Sequence, residues 1–458
     1  MLNTEELSKE RTLLFSDLFA GKTPKRVPTT NAMAIEACAT YCNVSVAEVY
    51  WDQAKIEQVL DKVGADFVSD AGAAVGRRYP FYYQLLGSKP FIMSSSGHMQ
   101  HPDVHGMEVE DYDYLISNPY DCIIERILPR LYRELDAPPE AKMLAFAKAQ
   151  KAQYDDFTAT GITAGKMSKK YGYASVPGGA TTGPFDFLAD FFRSFTMING
   201  DLRRRPEQVL QACDALLPIL VKKGQLAGPA PKFGSTIIPL HMGTFLQTKD
   251  FEKFYWPSLK KQVEMLTEMG INVQLFVEDD YTRYLDHLQE LPANTILRFE
   301  YGDPKLFTEK LGKKFVISGF YPISMLHEGT KEQALDAIKK LLDTVMPRSR
   351  FWFNPDKGPL DSHGNFGENM KAVLDYVHKH GIYDNPDGDG TLLEKPNKCA
   401  EIITGINKDL SANSKYFRNW EDYVAGHPEI ADRKEPAVKQ KLMMAEDQSF
   451  NFVINLCS

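Results

Sequence analysis

The chain has 458 residues, of which 43% are hydrophobic and 25% charged, and its formal net charge is −8. This length suits one large barrel with additions or two ordinary domains, and the acidic balance argues against a nucleic-acid binder, which needs a basic surface. No apolar run reaches the roughly 18 residues of a membrane helix, and residues 1–15 lack the apolar segment of a signal peptide. We therefore expect a cytoplasmic protein with neither a nucleic-acid nor a membrane partner.

The six cysteines are dispersed and form no CxxC pair. A disulfide framework is not expected in so large a chain, and this spacing excludes a cysteine-rich zinc site. The cysteines are Cys38, Cys42, Cys122, Cys213, Cys399 and Cys457.

In chain order, the pattern predicts an amphipathic helix over residues 1–20, followed by a short strand at Arg26–Thr30. Further strands are predicted at Ala65–Ser69 and Pro90–Ser94, and a mostly helical stretch from about Tyr112 to Gln153. A strand near residue 174 then leads through a glycine-rich turn into a helix at GPFDF. That turn lacks both the GxxxxGK[ST] and the GxGxxG pattern, so it does not predict nucleotide binding.

After this turn, short β-rich runs alternate with helical segments at 235–241, 272–279, 295–300, 314–320 and 350–358. Such alternation is typical of parallel βα units. We predict an α/β fold: a TIM (βα)8 barrel over residues 1–384, with an N-terminal helical extension and a C-terminal appendage over 385–458. The pattern by itself leaves an open parallel sheet as the alternative.

In such a barrel the active site lies at the carboxyl ends of the strands, where polar residues should follow apolar runs. The residues found there are His241, Glu278, Asp279, Glu300, Tyr321 and Asp356. An imidazole together with carboxylates could hold one divalent ion such as zinc. The alternative is that these acids only cap the helices that follow the strands.

A second cluster is the segment SSSGHMQHPDVHG, in which His98, His101 and His105 lie within eight residues. Its histidines could line a loop over the barrel mouth and contact substrate. The spacing fits no established metal site, so an ordinary polar loop is the alternative.

Several segments resemble the uroporphyrinogen decarboxylase superfamily over about residues 10–380. They include ERTLLFSDLFAGKTPKRVP near the start, GPFDFLADFFRSFTMINGDLRRRPEQV in the centre and GNFGENMKAVLDYVHKHG near the end. The resemblance rests on the order and spacing of these segments along the chain. The resemblance implies a (βα)8 barrel with the site in its mouth.

The superfamily contains decarboxylases and corrinoid-linked methyltransferases. The decarboxylases hold their polycarboxylate substrate with an arginine-rich motif, whereas the corresponding PTTNAMAIEACATYC has no arginine. The methyltransferases bind zinc through a His-x-Cys pair and a later cysteine. Those positions here read Phe276-Val277-Glu278 and Asp356 or Lys357, so the thiolate site is absent.

Harder oxygen and imidazole ligands suit the activation of an oxygen leaving group better than that of a thiol. The resemblance therefore implies a methyltransferase that demethylates a small methylated substrate, such as an aryl methyl ether, and passes the methyl group to a separate corrinoid protein. We expect His241 and Glu278 to bind zinc, catalysis by Asp279, Glu300 or Tyr321, and substrate binding by His98, His101 and Asp356. The alternatives are a uroporphyrinogen decarboxylase-type enzyme and a non-catalytic ligand-binding barrel, and a homo-oligomer is left open.

Overall fold

The computed structural model describes residues 3–73, 76–176, 178–226, 234–395, 397–427, 429 and 436–457. The strands are β1 (Ile92–Met93), β2 (Met99–Gln100), β3 (Gly178–Ala180), β4 (Ser235–Leu240), β5 (Asn272–Val277), β6 (Ile296–Phe299), β7 (Val316–Gly319) and β8 (Arg350–Trp352). The helices of the N-terminal part are α1 (Thr4–Ala20), α2 (Ile35–Tyr41), α3 (Val46–Trp51), α4 (Gln53–Asp66), α5 (Pro80–Leu86), α6 (Tyr112–Ser117), α7 (Pro119–Cys122), α8 (Leu128–Leu131) and α9 (Pro139–Tyr171).

The later helices are α10 (Pro184–Asp186), α11 (Phe195–Arg204), α12 (Pro206–Lys223), α13 (Thr248–Asp250), α14 (Trp256–Glu268), α15 (Leu285–Leu288), α16 (Pro304–Leu311), α17 (Ile323–His327), α18 (Lys331–Val345), α19 (Phe366–His380), α20 (Cys399–Asn413), α21 (Trp420–Gly426) and α22 (Pro436–Asn455). Within the described part of the chain, no helix is long and apolar enough to cross a membrane.

Strands β3 to β8 form a six-stranded parallel sheet in sequence order. Isolated bridges continue it, because Thr29 pairs in parallel with Phe353 just after β8, and Thr30 pairs with Ala71. The Ala174 N–H then donates to the Asp70 carbonyl at 2.8 Å, beside the chain that leads into β3. Two short segments therefore close the sheet, and the predicted (βα)8 barrel is confirmed.

The strands form where short, mostly apolar runs occur, as in NVQLFV of β5, which is buried at all but one position. Parallel strands are covered by helices on one face and by the barrel interior on the other, which explains such runs. The helices between them bury one face only; α18 begins with a capping box formed by Thr330 and Gln333. The short apolar runs therefore form the inner sheet, and the segments with one apolar face form the outer layer of helices.

Helix α1 packs across the amino ends of the strands. Its Phe15 and Phe19 rings contact the Trp352 ring, with centroids 5.2 and 6.4 Å apart. Ile296 and Val316, which start β6 and β7, belong to the same buried cluster. The N-terminal extension therefore closes the bottom of the barrel and leaves the opposite end open for a site.

The C-terminal helices pack onto the body of the chain. The Tyr132 hydroxyl donates to the Leu456 carbonyl at 2.6 Å. The Phe452 ring lies edge-on to Phe146 of α9, at 5.0 Å between centroids. Helix α22 therefore shares the main hydrophobic core, while the boundary at residues 384 and 385 stays a prediction.

Three expected elements differ from the structure. The Pro90–Ser94 segment forms a short antiparallel hairpin, in which Ile92 pairs with Gln100, instead of a barrel strand. The second barrel segment lies near Ala71, because α4 continues to Asp66 and uses up the start of the predicted strand at Ala65–Ser69. The predicted long helix from Tyr112 divides into several short ones before α9 begins.

Candidate active site at the carboxyl ends of the strands

His241 follows β4 directly, and its imidazole meets a carboxylate that comes from the preceding βα unit. The His241 Nδ1 atom lies 3.0 Å from Oδ2 of Asp190. This bond, together with the nearby charges of Glu278 and Asp186, raises the pKa of His241 to about 9 although burial opposes the shift. The imidazole is therefore protonated at neutral pH, with its Nε2 side left for a substrate.

Asp190 lies on a π-helical segment, Phe187–Arg193, one turn after Asp186. The extra residue in such a turn is often found at functional sites. Asp186 is buried, and it accepts hydrogen bonds from the Met242 N–H at 2.8 Å and from the Tyr255 hydroxyl at 2.7 Å. Burial and the charge of Asp190 raise the pKa of Asp186 well above its ordinary range. Asp186 therefore ties α10 to the turn that carries His241.

Glu278 and Glu300 end the neighbouring strands β5 and β6, and their pKa values move in opposite directions. Partial burial raises the pKa of Glu278. Burial acts the same way on Glu300, but hydrogen bonds from the Lys357 ammonium and the Asp279 N–H lower its pKa overall. When the pKa values of two neighbouring acids shift in opposite directions, one acid suits proton donation and the other stays a carboxylate. Of these two acids, Glu278 has the raised pKa and is therefore the stronger candidate for a proton donor.

Asp279 is exposed, and its backbone has a φ of +59°. A residue with a side chain seldom adopts this left-handed conformation, which is often retained at functional sites. The strain aims the Asp279 N–H at the Glu300 carboxylate, 3.0 Å away. The contribution of Asp279 shown by the structure is thus this backbone bond, and its catalytic role stays a prediction.

Asp356 follows β8 and is partly buried. Its Oδ1 atom accepts the N–H groups of Ile323 and Lys357, at 3.1 and 2.7 Å. Arg298 lies below it in the barrel interior, with its guanidinium donating to the Pro355 carbonyl. One oxygen of Asp356 therefore braces two loops, and its role in substrate binding remains a prediction.

The histidine-rich hairpin lies on the same side of the barrel. The His101 ring stacks on Phe91, with centroids 4.9 Å apart and planes 14° from parallel. Burial and the charge of Arg78 lower the pKa of His101, and the charges of Asp190 and His241 also reach it. His101 is therefore part of the mouth. His98 contacts Ser96 within its own hairpin at 3.3 Å, so the structure leaves its predicted role untested.

Tyr321 was expected to face the mouth, but the structure turns it outward. Its ring is fully buried, and its hydroxyl donates to the Ala334 carbonyl of α18 at 3.0 Å. The cause is the backbone just before it, because Gly319 and Phe320 both have positive φ, at +87° and +64°. Two such residues break the alternation of the strand. Tyr321 therefore packs the outer layer, and the expected catalytic role is corrected.

The sequence reasoning missed Asp186, Asp190 and Arg78. The signal for the two aspartates was their spacing of four residues on the helix after Gly183-Pro184, which places both on one face. Arg78 stacks on the Phe91 ring at 4.4 Å. No local pattern distinguishes it from other surface arginines.

The residues at the mouth were also considered as a metal site. Nδ1 of His241 is taken by Asp190, which leaves Nε2 as the atom that could bind an ion. Among the described residues around β4 and β5, no three histidine, cysteine or carboxylate side chains bring donor atoms within 4.8 Å of one another. Zinc binding by His241 and Glu278 therefore stays a prediction, and no chemical step is assigned to a metal there.

Comparisons with known proteins agree with the barrel fold and with the resemblance to the uroporphyrinogen decarboxylase family. Residues 163–380 match the family model for uroporphyrinogen decarboxylase (URO-D), which confirms the predicted resemblance over these residues. A solved structure of a methyltransferase from Methanosarcina mazei superposes with a TM-score of 0.53 at 12% sequence identity, covering 83% of this chain and 99% of that one. At this identity the likeness shows the fold alone. No curated protein matches the chain in sequence.

Proposed function

Since residues 163–380 place this chain in the uroporphyrinogen decarboxylase superfamily, we propose that it is a methyltransferase. It takes a methyl group from a small methylated substrate, such as an aryl methyl ether, and passes it to a separate corrinoid protein. The observation that carries the proposal is the protonated His241, held by Asp190 at 3.0 Å beside Glu278. A similar fold in a protein named as a methyltransferase supports the reaction class.

Cleavage of a methyl–oxygen bond leaves an oxygen anion, which needs a proton or a positive charge. His241 donates that proton from Nε2 while Asp190 holds the Nδ1–H and stabilises the imidazolium. Glu278, whose pKa is raised by partial burial, returns a proton to the imidazole before the next turnover. The corrinoid, when its carrier protein docks, supplies the nucleophile that accepts the methyl group.

Aromatic side chains at the mouth suit a planar substrate. Phe245 lies edge-on to His241, at 5.9 Å between ring centroids, and Phe195 lies 5.2 Å from Phe245. Both phenylalanines are large exposed apolar groups, at 43% for Phe195 and 56% for Phe245. Stacked and edge-to-face contacts with such rings would orient an aryl ether over the His241 Nε2 atom.

Decarboxylation of a porphyrinogen is the second candidate, because the matching family model carries that description. The residues at the barrel mouth argue against decarboxylation. A substrate with many carboxylates needs several arginines, yet Arg77 is bound to Asp156 and Arg298 is buried beneath Pro355. Both guanidiniums are therefore buried and already paired, and neither is exposed to bind a substrate carboxylate.

Zinc held by His241 and Glu278 remains a separate prediction. Elemental analysis of the purified protein beside Glu278→Ala tests it directly. If wild type contains near-stoichiometric zinc and the variant does not, the ion and not the His241 proton would activate the leaving oxygen.

The function is tested by incubating the protein anaerobically with reduced cobalamin and a panel of aryl methyl ethers, and following the absorbance of the corrinoid. Wild type should transfer a methyl group from at least one ether. His241→Ala should transfer it about 10² to 10⁴ times more slowly, because a general acid usually accelerates a reaction by a factor of that size. His380→Ala removes an exposed histidine at the end of α19 and should match wild type. Transfer at an unchanged rate in His241→Ala would refute the assigned role. Ligand binding without turnover would favour a non-catalytic barrel.

A further inference from the structure

A cluster outside the active site draws together side chains from the loops that follow β7 and β8. His327 ends α17, while Asp361 and His363 lie in the loop between β8 and α19. Each offers one ligand atom, and these atoms all lie within 4.8 Å of one another. The residues are 34 and 36 positions from His327 in the sequence, so the fold alone assembles them.

The hydrogen bond of His327 indicates which of its ring nitrogens carries the hydrogen, and the same nitrogen, Nδ1, also lies 3.7 Å from Oδ1 of Asp361. This Nδ1 atom lies 3.1 Å from the His363 carbonyl oxygen. A carbonyl can only accept, so Nδ1 carries the hydrogen and the neutral ring keeps its lone pair on Nε2. Histidines that bind metals usually donate their other N–H in this way, which fixes the ring and its tautomer. The side chain is only 10% exposed.

The His363 ring lies between two carboxylates. Its Nδ1 contacts Asp361, and its Nε2 lies 3.3 Å from Oε1 of Glu328. The ring also stacks on His327, with centroids 4.2 Å apart and planes 12° from parallel. Two carboxylates and two imidazoles, all of them groups that can bind a divalent cation, therefore lie in contact at this point of the rim.

The surrounding backbone holds the loop in place. Gly364 has a φ of +65°, and a Cβ there would stand 2.4 Å from the His327 carbonyl oxygen, so only glycine fits. The same carbonyl accepts the Asn365 N–H at 3.0 Å. The buried Asn369 amide donates to the carbonyls of Met325, Leu326 and Gly329 at the end of α17. The two loops are thus joined independently of any ion.

We propose that His327, Asp361 and His363 bind one borderline divalent cation, with zinc as the best fit, and that Glu328 supplies a fourth ligand. Two imidazoles with carboxylate oxygen suit zinc better than magnesium or calcium, which prefer oxygen alone. Ligands around tetrahedral zinc stand roughly 3.3 Å apart, a distance that rotation of the half-exposed Asp361 and His363 side chains would reach. The ion would join the β7 and β8 loops at the rim. This site does not depend on the proposed methyl transfer.

The test is isothermal titration of the chelator-stripped full chain with Zn²⁺ alone. Wild type should bind one equivalent, and His363→Ala should weaken binding at least tenfold to a hundredfold, because loss of a supporting partner alone already costs that much. His380→Ala serves as the matched control and should bind like wild type. Zinc should also raise the melting temperature of wild type and of this control, but not of His363→Ala.

Asp361→Asn provides a second variant with little change in shape, so the result does not depend on how well His363→Ala folds. A double variant, His241→Ala with Glu278→Ala, separates this site from a metal at the active site and should retain zinc. Absence of zinc binding by wild type would overturn the proposal. So would binding that survives His363→Ala and Asp361→Asn, or binding that only the double variant abolishes.

Discussion

Replacing Asp190 with asparagine should lower the pKa of His241. The change keeps the size of the side chain and removes the charge that now lies 3.0 Å from Nδ1. The ordinary histidine pKa of 6.5 and the raised value of about 9 differ by about 2.5, or about 3.4 kcal/mol at 1.36 kcal/mol per pKa unit. Half of the His241 side chain is exposed, and solvent screening reduces such a pair. We therefore expect a fall in pKa of about 1 to 2, equivalent to about 1.4–2.7 kcal/mol.

The assay is an NMR titration of the histidine ring signals between about pH 5 and 10, with His241 assigned by its loss in His241→Ala. Asp155→Asn is the matched control, since Asp155 pairs with Lys151 on the exposed face of α9 and should leave His241 unchanged. The reasoning would be refuted if His241 titrates near 6.5 in wild type. An unchanged pKa in Asp190→Asn would refute it equally.

The same shift has a kinetic consequence if His241 is the proton donor. With a pKa of about 9 the ring is about 90% protonated at pH 8, whereas with an ordinary pKa it would be about 3% protonated. With the expected fall in pKa of about 1 to 2, the ring in Asp190→Asn would be about 50% to 9% protonated at pH 8. Methyl transfer in this variant should therefore be slowed by about twofold to tenfold at pH 8 and recover as the pH falls. A uniform loss at all pH values would indicate damage to the site and not a change in proton supply.

Three further predictions concern stability, each measured by chemical denaturation. Phe452→Ala should cost about 3–5 kcal/mol, because the ring is fully buried against α9; a cost below about 1 kcal/mol would mean that α22 is not part of the core. Burial lowers the pKa of His378 from 6.5 to about 4, so folding favours the neutral ring, and its stabilisation is present above pH 6.5 and lost as the pH falls towards 4. Wild type should lose about 2 kcal/mol between pH 7 and pH 5 through this residue, a loss that His378→Gln should abolish. Gly319→Ala should cost more than about 2 kcal/mol, since its φ is +87° and a Cβ would stand 2.1 Å from the Phe299 carbonyl oxygen; a neutral effect would contradict the stated backbone strain.

Much of the barrel was predictable because the spacing of apolar residues that marks a strand or a helix is a local property of the sequence. Short, mostly apolar runs mark β4 to β8, and polar residues follow the strands that lead to the mouth. The rule that strand ends carry the site then located His241, Glu278 and Glu300 on neighbouring strands. The metal expected between them was a different kind of inference. It depends on distances between donor atoms, and the zinc at His241 and Glu278 stays a prediction.

Short barrel segments were harder to predict than long strands. Thr29, Thr30 and Ala71 close the sheet through isolated bridges, which need too few residues to produce a periodic pattern. The Pro90–Ser94 run shows the converse, since its apolar residues form a hairpin at the rim. Composition identifies a strand-forming run but not the partner with which it pairs.

The sequence by itself determined the succession of βα units, the N-terminal helix and the strand ends that bear acids, because each follows from hydrophobic spacing along a short stretch of chain. Only the tertiary structure decided which of these groups act together. Asp190 reaches His241 across 51 positions, and His327 meets Asp361 and His363 through two separate loops. Tyr321 does not face the barrel mouth, because the positive φ angles of the two residues before it turn its side chain to the other face of the strand. Such pairings depend on the path of the backbone in space, for which local residue spacing carries no signal.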